Sequence, residues 1–473
     1  MVDRTERYCV IGAGAAGLTA AKNLLEYGFA VDVIERAADV GGTWNPDCPT
    51  SGAYPSVHLI TSKPFIQYPD FPIPRDYPTY LGQRHIMSYL RSYANHFGIR
   101  AHIEFDSSVE SVRRVDGGSD WLVRIRNATG VTERRYGGVV IANGHHSSPR
   151  QPQLPGVFDG LQIHAIDYKG PELLRGRRVL VIGAGTSGCD IAAESCQSAA
   201  ETFLSVRRGN YIWPKYMFGI PTDVYYEFML KFHMPRPLVR TFGKPLLRMN
   251  SAGNPVHYGL PRPEHKLLEE HFVMNSTLLY HLGHGDIGVK PEVTELCGDR
   301  VRFADGSEQR IDVVVYATGY HQAVFPFIDR KYLNWTTGPI PELHLHAFHP
   351  DYDNLFVIGY FQTATGTWPL MDYQSRIMAR YLYLSHTDPR RVAEFRAAKA
   401  NPVFGPRLNG GIDFYRSERH WLQVEHVSYR KRLRRLAKHL EVAPRQSTAT
   451  GSIGQANSVR RTPEPPAIVG ASR

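Results

Sequence analysis

Apolar residues in this chain come in short continuous runs, each ended by glycine and followed by helical spacing, and the pattern occurs twice. Tyr8 to Ile11 runs into GAGAAG (Gly12, Gly14, Gly17), then into a helix over Leu18 to Glu26 and a strand from Val31 to Ile34. Short alternating strands follow near Val109 to Val112 and Trp121 to Ile125, and the apolar run Val139 to Ile141 leads into Ala142-Asn143-Gly144. The second round opens with Val179 to Ile182 and GAGTSG (Gly183, Gly185, Gly188), then a helix and the strand Phe203 to Val206. It closes with Val301 to Phe303, then Val313 to Tyr316 before Ala317-Thr318-Gly319. Unbroken apolar strands alternating with helices predict α/β architecture with parallel sheets covered on both faces and antiparallel meanders at their edges.

Three stretches depart from this rhythm. Tyr211 to Pro263 carries Phe218, Tyr225, Tyr226, Phe228, Met229 and Phe232 among prolines. It reads as a mostly helical insertion whose aromatics pack or line an access path. LHLHAFH (His344, His346, His349) alternates as a half-buried strand does and lacks the cysteine or carboxylate pair of a metal centre. Leu433, Leu436 and Leu440 recur at helical spacing among Arg430, Lys431, Arg432, Arg434, Arg435 and Lys438, predicting an amphipathic helix with a solvated basic face. From about Pro444 the chain is polar and aperiodic, the composition of a disordered tail.

Composition narrows the function classes. The chain has 473 residues, room for two or three domains, with 42% hydrophobic and 21% charged residues and a net charge of +10. The sequence has no apolar run of transmembrane length and no signal-peptide core before the first strand. Five cysteines without a CxxC pair point to a reducing cytoplasm and away from dithiol chemistry. Part of the positive charge suits anionic cofactors; nothing calls for nucleic acid.

The glycine loops carry the chemistry. In GxGxxG between strand and helix, the first glycine makes the turn, the second admits a pyrophosphate, and the third lets helix and strand pack closely. The helix N-terminus then faces the phosphates. Glu35 ends the strand after the first loop and is placed to accept ribose hydroxyls, which suits FAD. Arg207 and Arg208 end the corresponding second strand and suit the 2′-phosphate of NADPH.

Between the two rounds, Phe158-x-Gly160-xxx-His164-xxx-Tyr168 fits FxGxxxHxxx(Y/F), and here the sequence resembles the flavin-containing monooxygenases. Gly41-Gly42-Thr43-Trp44, Tyr68-Pro69-Asp70-Phe71-Pro72, Ala317-Thr318-Gly319-Tyr320 and Gly366-Thr367-Trp368-Pro369-Leu370 are further family-like landmarks, in order from residue 6 to about 385. The resemblance implies two Rossmann-like dinucleotide-binding domains, the NADPH domain inserted in the FAD domain. The expected division is 1–170 and 321–443 for FAD, with C-terminal helices, and 171–320 for NADPH, containing the insertion at about 211–263; the tail is 444–473. The strand Leu355 to Ile358 would be the last of the FAD sheet, and a helix from near Pro369 would point its positive end at the flavin.

Candidate FAD contacts are Gly12, Gly14, Ala15, Ala16, Gly17 and Glu35, with Gly42, Thr43, Trp44, Thr61, Val109, Gly144, Gly359 and Gln374. Candidate NADPH contacts are Gly183, Gly185, Thr186, Ser187 and Gly188, with Arg207, Arg208, Thr318 and Gly319. The resemblance implies hydride transfer from NADPH to flavin, a C4a-hydroperoxyflavin formed with O₂, and transfer of one oxygen to a nitrogen or sulfur of a small molecule. No side chain is named as acid or base, and no metal is required; His164 and Tyr168 are expected to act structurally at a domain junction. Tyr168-Lys169 stands where the related Baeyer–Villiger enzymes usually carry Trp-Pro, which favours heteroatom oxygenation over attack beside a ketone. Ile60 stands where many relatives carry a flavin-side Asn, with Thr61 or Ser62 as substitutes if the loop shifts, so uncoupled NADPH oxidase or reductase activity stays open. The expected assembly is a monomer or homodimer.

Overall fold

A computed structural model describes residues 1–231, 236–250, 253–322, 324–415 and 417–444. The expected disordered tail from residue 445 and the insertion's Phe232 lie outside them. The first sheet has seven strands. Ile103–Glu104, Ala30–Ile34, Val2–Ile11 and Gly130–Ile141 pair in parallel, and Trp121–Asn127 and Ser108–Arg114 continue the sheet antiparallel. Its seventh strand, Leu355–Val357, arrives more than 200 residues after Gly130–Ile141 and pairs with it in parallel, Val357 opposite Ile141. Within this span lies the second sheet, all parallel: Gly288–Lys290, Glu201–Ser205, Arg178–Ile182, Val313–Tyr316 and Leu161–His164. Gly156–Phe158, Val293–Gly298, Arg300–Phe303 and Glu308–Arg310 form a four-stranded sheet beside it.

Strand periodicity of two splits the side chains between two cores. Tyr8 and Val10 face a helical layer made by Ala15–Glu26, Gln83–His96, Thr367–Thr387 and His426–His439. Cys9 and Ile11 face the opposite core, with Trp121, Val123, Phe325, Leu333 and Leu343. The second sheet divides in the same way, Val179 and Val181 to one side and Leu180 to the other. The helical layer is fastened by a partly buried ion network in which Lys22 meets Asp70 and Glu26, and Arg376 meets Asp70 and Asp372. Asp372 also accepts hydrogen bonds from Thr19 and Asn23, so both helices are tied through one carboxylate.

Two sequence expectations need correcting. The excursion from the second sheet does include the helices Thr222–Lys231 and Arg236–Asn250, but it closes later than Pro263: Ile212–Trp213 pairs in parallel with Val273–Met274. The LHLHAFH segment is a tight turn, with Leu345 and His346 both at positive φ (52° and 54°). All of Leu343 to His349 is buried, so the alternation did not mark a wet face. Its imidazoles instead accept backbone N–H groups: His344 from Val403, His346 from Gly405, and His349 from Asp351 and Tyr352. Burial pushes them down to about 4, 4 and 3, so they are neutral acceptors.

The basic C-terminal helix, His426–His439, packs Tyr429 and Leu433 into the core. Its Arg430 and His426 grip Glu227 of the insertion. No helix among the described residues is long and apolar enough to cross a membrane.

Candidate functional site

The glycines divide by what their backbones touch. A Cβ on Gly17 would lie 1.8 Å from the Gly12 carbonyl oxygen, and one on Gly188 1.9 Å from that of Gly183. Gly12 and Gly183 sit at φ of 102° and 109°, against the carbonyls of Ala142 and Ala317. The fold therefore demands glycine at the first and third positions of each loop. The middle glycines differ. Gly14 and Gly185 cap the helices Ala15–Glu26 and Thr186–Ser195 with ordinary extended backbone. A Cβ on Gly185 would meet nothing within 4 Å, and one on Gly14 only Gly42 at 3.5 Å. Neither packing nor conformation requires glycine there, whereas a phosphate resting on the backbone does.

Around the first loop the structure gathers Gly12, Gly14, Ala15, Ala16, Gly17, Gly42 and Gly359. Gly42 faces Gly14, and a Cβ on Gly359 would lie 2.8 Å from the Ala16 methyl. Glu35 is buried beneath this loop, accepting from the N–H of Ala13 at 2.6 Å and of Ala37 at 2.9 Å. One oxygen thus holds the glycine loop and the other the chain just past Glu35, in addition to any ribose.

Gln374, expected as a direct contact, is saturated by the protein. It accepts from Gly359 N–H and donates to the Leu345 carbonyl and Tyr429 hydroxyl, fixing the Gly359 turn from behind. Thr43 is exposed, with its carbonyl held by Ser51; Trp44 packs on the helical core; Val109 packs on the opposite core; Thr61 is buried; Gly144 is exposed. The Tyr68 and Trp368 landmarks stack on each other inside the helical core, with centroids 5.6 Å apart. Ile60 leans on the insertion's apolar cluster of Trp213, Met217, Leu247, Leu267 and Met274. Ser62 donates through backbone and hydroxyl to the buried Asp223.

At the second loop, Thr186 and Ser187 stand in the first helical turn, Ser187 exposed. Arg207 is 66% exposed, with a long ion pair to Glu292 at 3.5 Å as its one ion pair among the described residues, and so can swing to a phosphate. Arg208 is more committed: its guanidinium lies over Tyr415 at 4.1 Å and 3.7 Å from Glu270. Thr318 bonds the Arg150 carbonyl through its hydroxyl, and Gly319 accepts from Arg150 N–H and from His164 Nε2 at 3.1 Å. His164 Nδ1 accepts from Ile166, and burial lowers its basicity, so a neutral ring clamps the loop after Val313–Tyr316. Tyr168 is fully buried and donates to Glu194 at 2.8 Å.

The two halves meet where strands of both sheets end. His146, just past Gly130–Ile141, contacts the Tyr320 ring at 5.5 Å and the Gln362 amide at 3.1 Å. Tyr320 follows Val313–Tyr316 of the second sheet, and Gln362 follows Leu355–Val357 of the first. His146 remains solvent-exposed despite these contacts. Burial, with Arg419 nearby, pushes it down to about 4, and burial lowers His145 too, so both rings are neutral. Three buried polar atoms on the stretch after Leu355–Val357 have no partner among the described residues: the hydroxyls of Tyr360 and Thr365, and Gln362 Oε1. Orphaned donors and acceptors inside a protein call for a polar ligand, and the edge of a flavin ring carries the matching groups.

Sequence reasoning missed His145, His146, Tyr360, Gln362 and Thr365. The available signal was positional, since ligands in parallel sheets lie beyond the carboxyl ends of strands.

The chain resembles known proteins along most of its length. A model of the flavin-binding monooxygenase-like family matches residues 5–397. Flavin-containing monooxygenase 5 of Cavia porcellus is 32% identical over 388 residues, covering 78% of this chain and 72% of the relative. Dimethylaniline monooxygenase [N-oxide-forming] 2 of Pan troglodytes is 32% identical over 392 residues, covering 79% and 73%. The open crystal structure of cyclohexanone monooxygenase superimposes with a TM-score of 0.68 at 18% identity, over 92% of this chain and 98% of that one.

Proposed function

The chain belongs to the flavin-binding monooxygenase-like family, and from that premise we propose that this FAD- and NADPH-dependent enzyme places one atom of O₂ on a nitrogen or sulfur of a small organic molecule. Bound NADPH supplies a hydride, and bound FAD supplies the electron store and the centre at which O₂ is activated. The chain's own task is to bring the two together and keep water out.

In this reading the part built on the first sheet holds FAD and the part built on the second holds NADPH; Leu161–His164, which the expected division at residue 170 put with FAD, pairs with Val313–Tyr316 and belongs to the NADPH side. The pyrophosphate of FAD runs over Gly14 and that of NADPH over Gly185, each at a helix N-terminus. Glu35 takes the FAD ribose, and Arg207 takes the 2′-phosphate, with Arg208 as its support. His145, Tyr360, Gln362 and Thr365 would hold the flavin ring, and Tyr320 and His146 would border the nicotinamide. The observation carrying this reading is the convergence of three strand ends at His146, Tyr320 and Gln362, with orphaned polar atoms beside them. Being neutral, His145 and His146 orient through hydrogen bonds without adding charge.

Heteroatom oxygenation is favoured by Tyr168-Lys169 in the place of Trp-Pro, and nitrogen by the N-oxide-forming relative. A cytoplasmic location is supported by five cysteines without disulfides. Ile60 motivates a second reading, uncoupled NADPH oxidation, because an apolar side chain turned toward the insertion offers the flavin no hydrogen bond.

Product and peroxide formed per NADPH, measured with a tertiary amine, a thioether and a cyclic ketone, decide among these. Amine or sulfide oxide at close to one per NADPH is expected. Lactone alone, or peroxide equal to the NADPH consumed with every probe, would refute heteroatom oxygenation.

A further inference from the structure

On the second sheet's helical side, away from both glycine loops, three residues of metal-ligating type come together. Cys196 ends the helix Thr186–Ser195, His281 lies on Leu278–His284, and Asp286 follows that helix's last turn. One ligand atom from each lies within 4.8 Å of the other two. His281 Nδ1 and Asp286 Oδ2 are 2.9 Å apart.

Helix capping does not account for the cluster. The helix end is already closed by backbone, Gly285 N–H to Leu282 and Asp286 N–H to His281, with Gly285 left-handed at φ 79°. The side-chain pair is therefore surplus to the cap. The Cys196 thiol bonds only the Ala193 carbonyl one turn back in its own helix, a role any small residue could vacate. His281 is 15% exposed and Asp286 43%, so an ion from solvent reaches the cluster.

We propose that Cys196, His281 and Asp286 form a zinc site that ties the end of one helix to the turn after the other. Thiolate, imidazole and carboxylate together are the donor set zinc accepts, with water as a fourth ligand. On binding, the Cys196 S–H bond breaks, its proton passes to solvent, and an S–Zn bond forms with no change in oxidation state. Gly185 lies at the opposite end of the same helix, so zinc and NADPH do not compete for ligands.

The test is calorimetric titration of the FAD-loaded, chelator-treated enzyme with zinc chloride, followed by zinc X-ray absorption. The Cys196→Ser/His281→Gln/Asp286→Asn variant provides the baseline for weaker sites. One zinc per chain above that baseline is expected, with one sulfur scatterer at ~2.3 Å and affinity at least ~10-fold weaker in Cys196→Ser. Binding no tighter than the triple variant, or zinc bound through nitrogen and oxygen alone, would overturn the proposal. The absorption measurement uses unaltered protein, so a variant that fails to fold does not blunt the test.

Discussion

The same substitution at two glycines three residues apart should produce opposite failures. Gly188→Ala sets a Cβ 1.9 Å from the Gly183 carbonyl oxygen and 3.1 Å from the Ala317 Cβ. Backbone cannot give way as a side-chain tip does, so the cost is about 3 kcal/mol or more. At roughly 2–4 °C per kcal/mol for domains of 150–250 residues, unfolding should begin about 6 °C or more lower. Gly185→Ala meets nothing within 4 Å and keeps an ordinary backbone. Restricting the unfolded chain contributes about 0.4–1 kcal/mol, and alanine's weakness as a helix cap costs about as much, so stability should hardly move. The added methyl instead occupies the line of closest approach to a pyrophosphate. A loss of at least ~10-fold in NADPH affinity, about 1.4 kcal/mol, is expected. Thermal unfolding of both variants and the NADPH dependence of flavin reduction in Gly185→Ala measure the two effects. Gly185→Ala saturating at the wild-type NADPH concentration would remove the nucleotide from this glycine, and a fully stable Gly188→Ala would refute the packing argument.

Three further outcomes follow from buried and half-buried groups. Burial pushes Asp190 up to about 6, against an ordinary value of 3.8, despite a 2.6 Å hydrogen bond from Asn275. Because the folded state binds this proton more tightly, the ionised carboxylate weakens the fold as pH rises through 6. Asp190→Asn should therefore be more stable by about 1–3 kcal/mol at pH 8, with the gain vanishing by pH 4; urea unfolding at both pH values checks it. His346 is pushed down to about 4, so its contribution is complete above pH 6.5 and is lost on acidification through 4, amounting to about 3 kcal/mol. His344 and His349 act in the same direction, and a stability profile flat from pH 6 to 4 would contradict all three. Ile60→Asn places an amide against Trp213 and Met274; it should cost about 1–3 kcal/mol and leave product per NADPH unimproved, and a rise in that ratio would show that residue 60 faces the flavin.

The repeated strand, glycine loop and helix were legible because their determinants are local. A run such as Val179 to Ile182 reads as a buried parallel strand from its own residues, and Gly17 is dictated by the Gly12 carbonyl five residues before it. The amphipathic character of His426–His439 was visible for the same reason, since a helix face repeats in sequence. Tertiary structure alone decided what distant segments do to one another. His146, Tyr320 and Gln362 are separated by 174 and 42 residues (320 − 146 and 362 − 320) yet meet at one point: parallel strands deliver His146 and Gln362 to the same edge of the first sheet, and the packing of the second sheet brings Tyr320 to it. The histidines near residue 346 mimicked strand alternation because sequence cannot tell an imidazole facing water from one buried and fed by backbone N–H groups. Gln374 looked like a cofactor contact by position, but its three hydrogen bonds go to Gly359, Leu345 and Tyr429, a closure fixed only when four separate stretches of chain pack together.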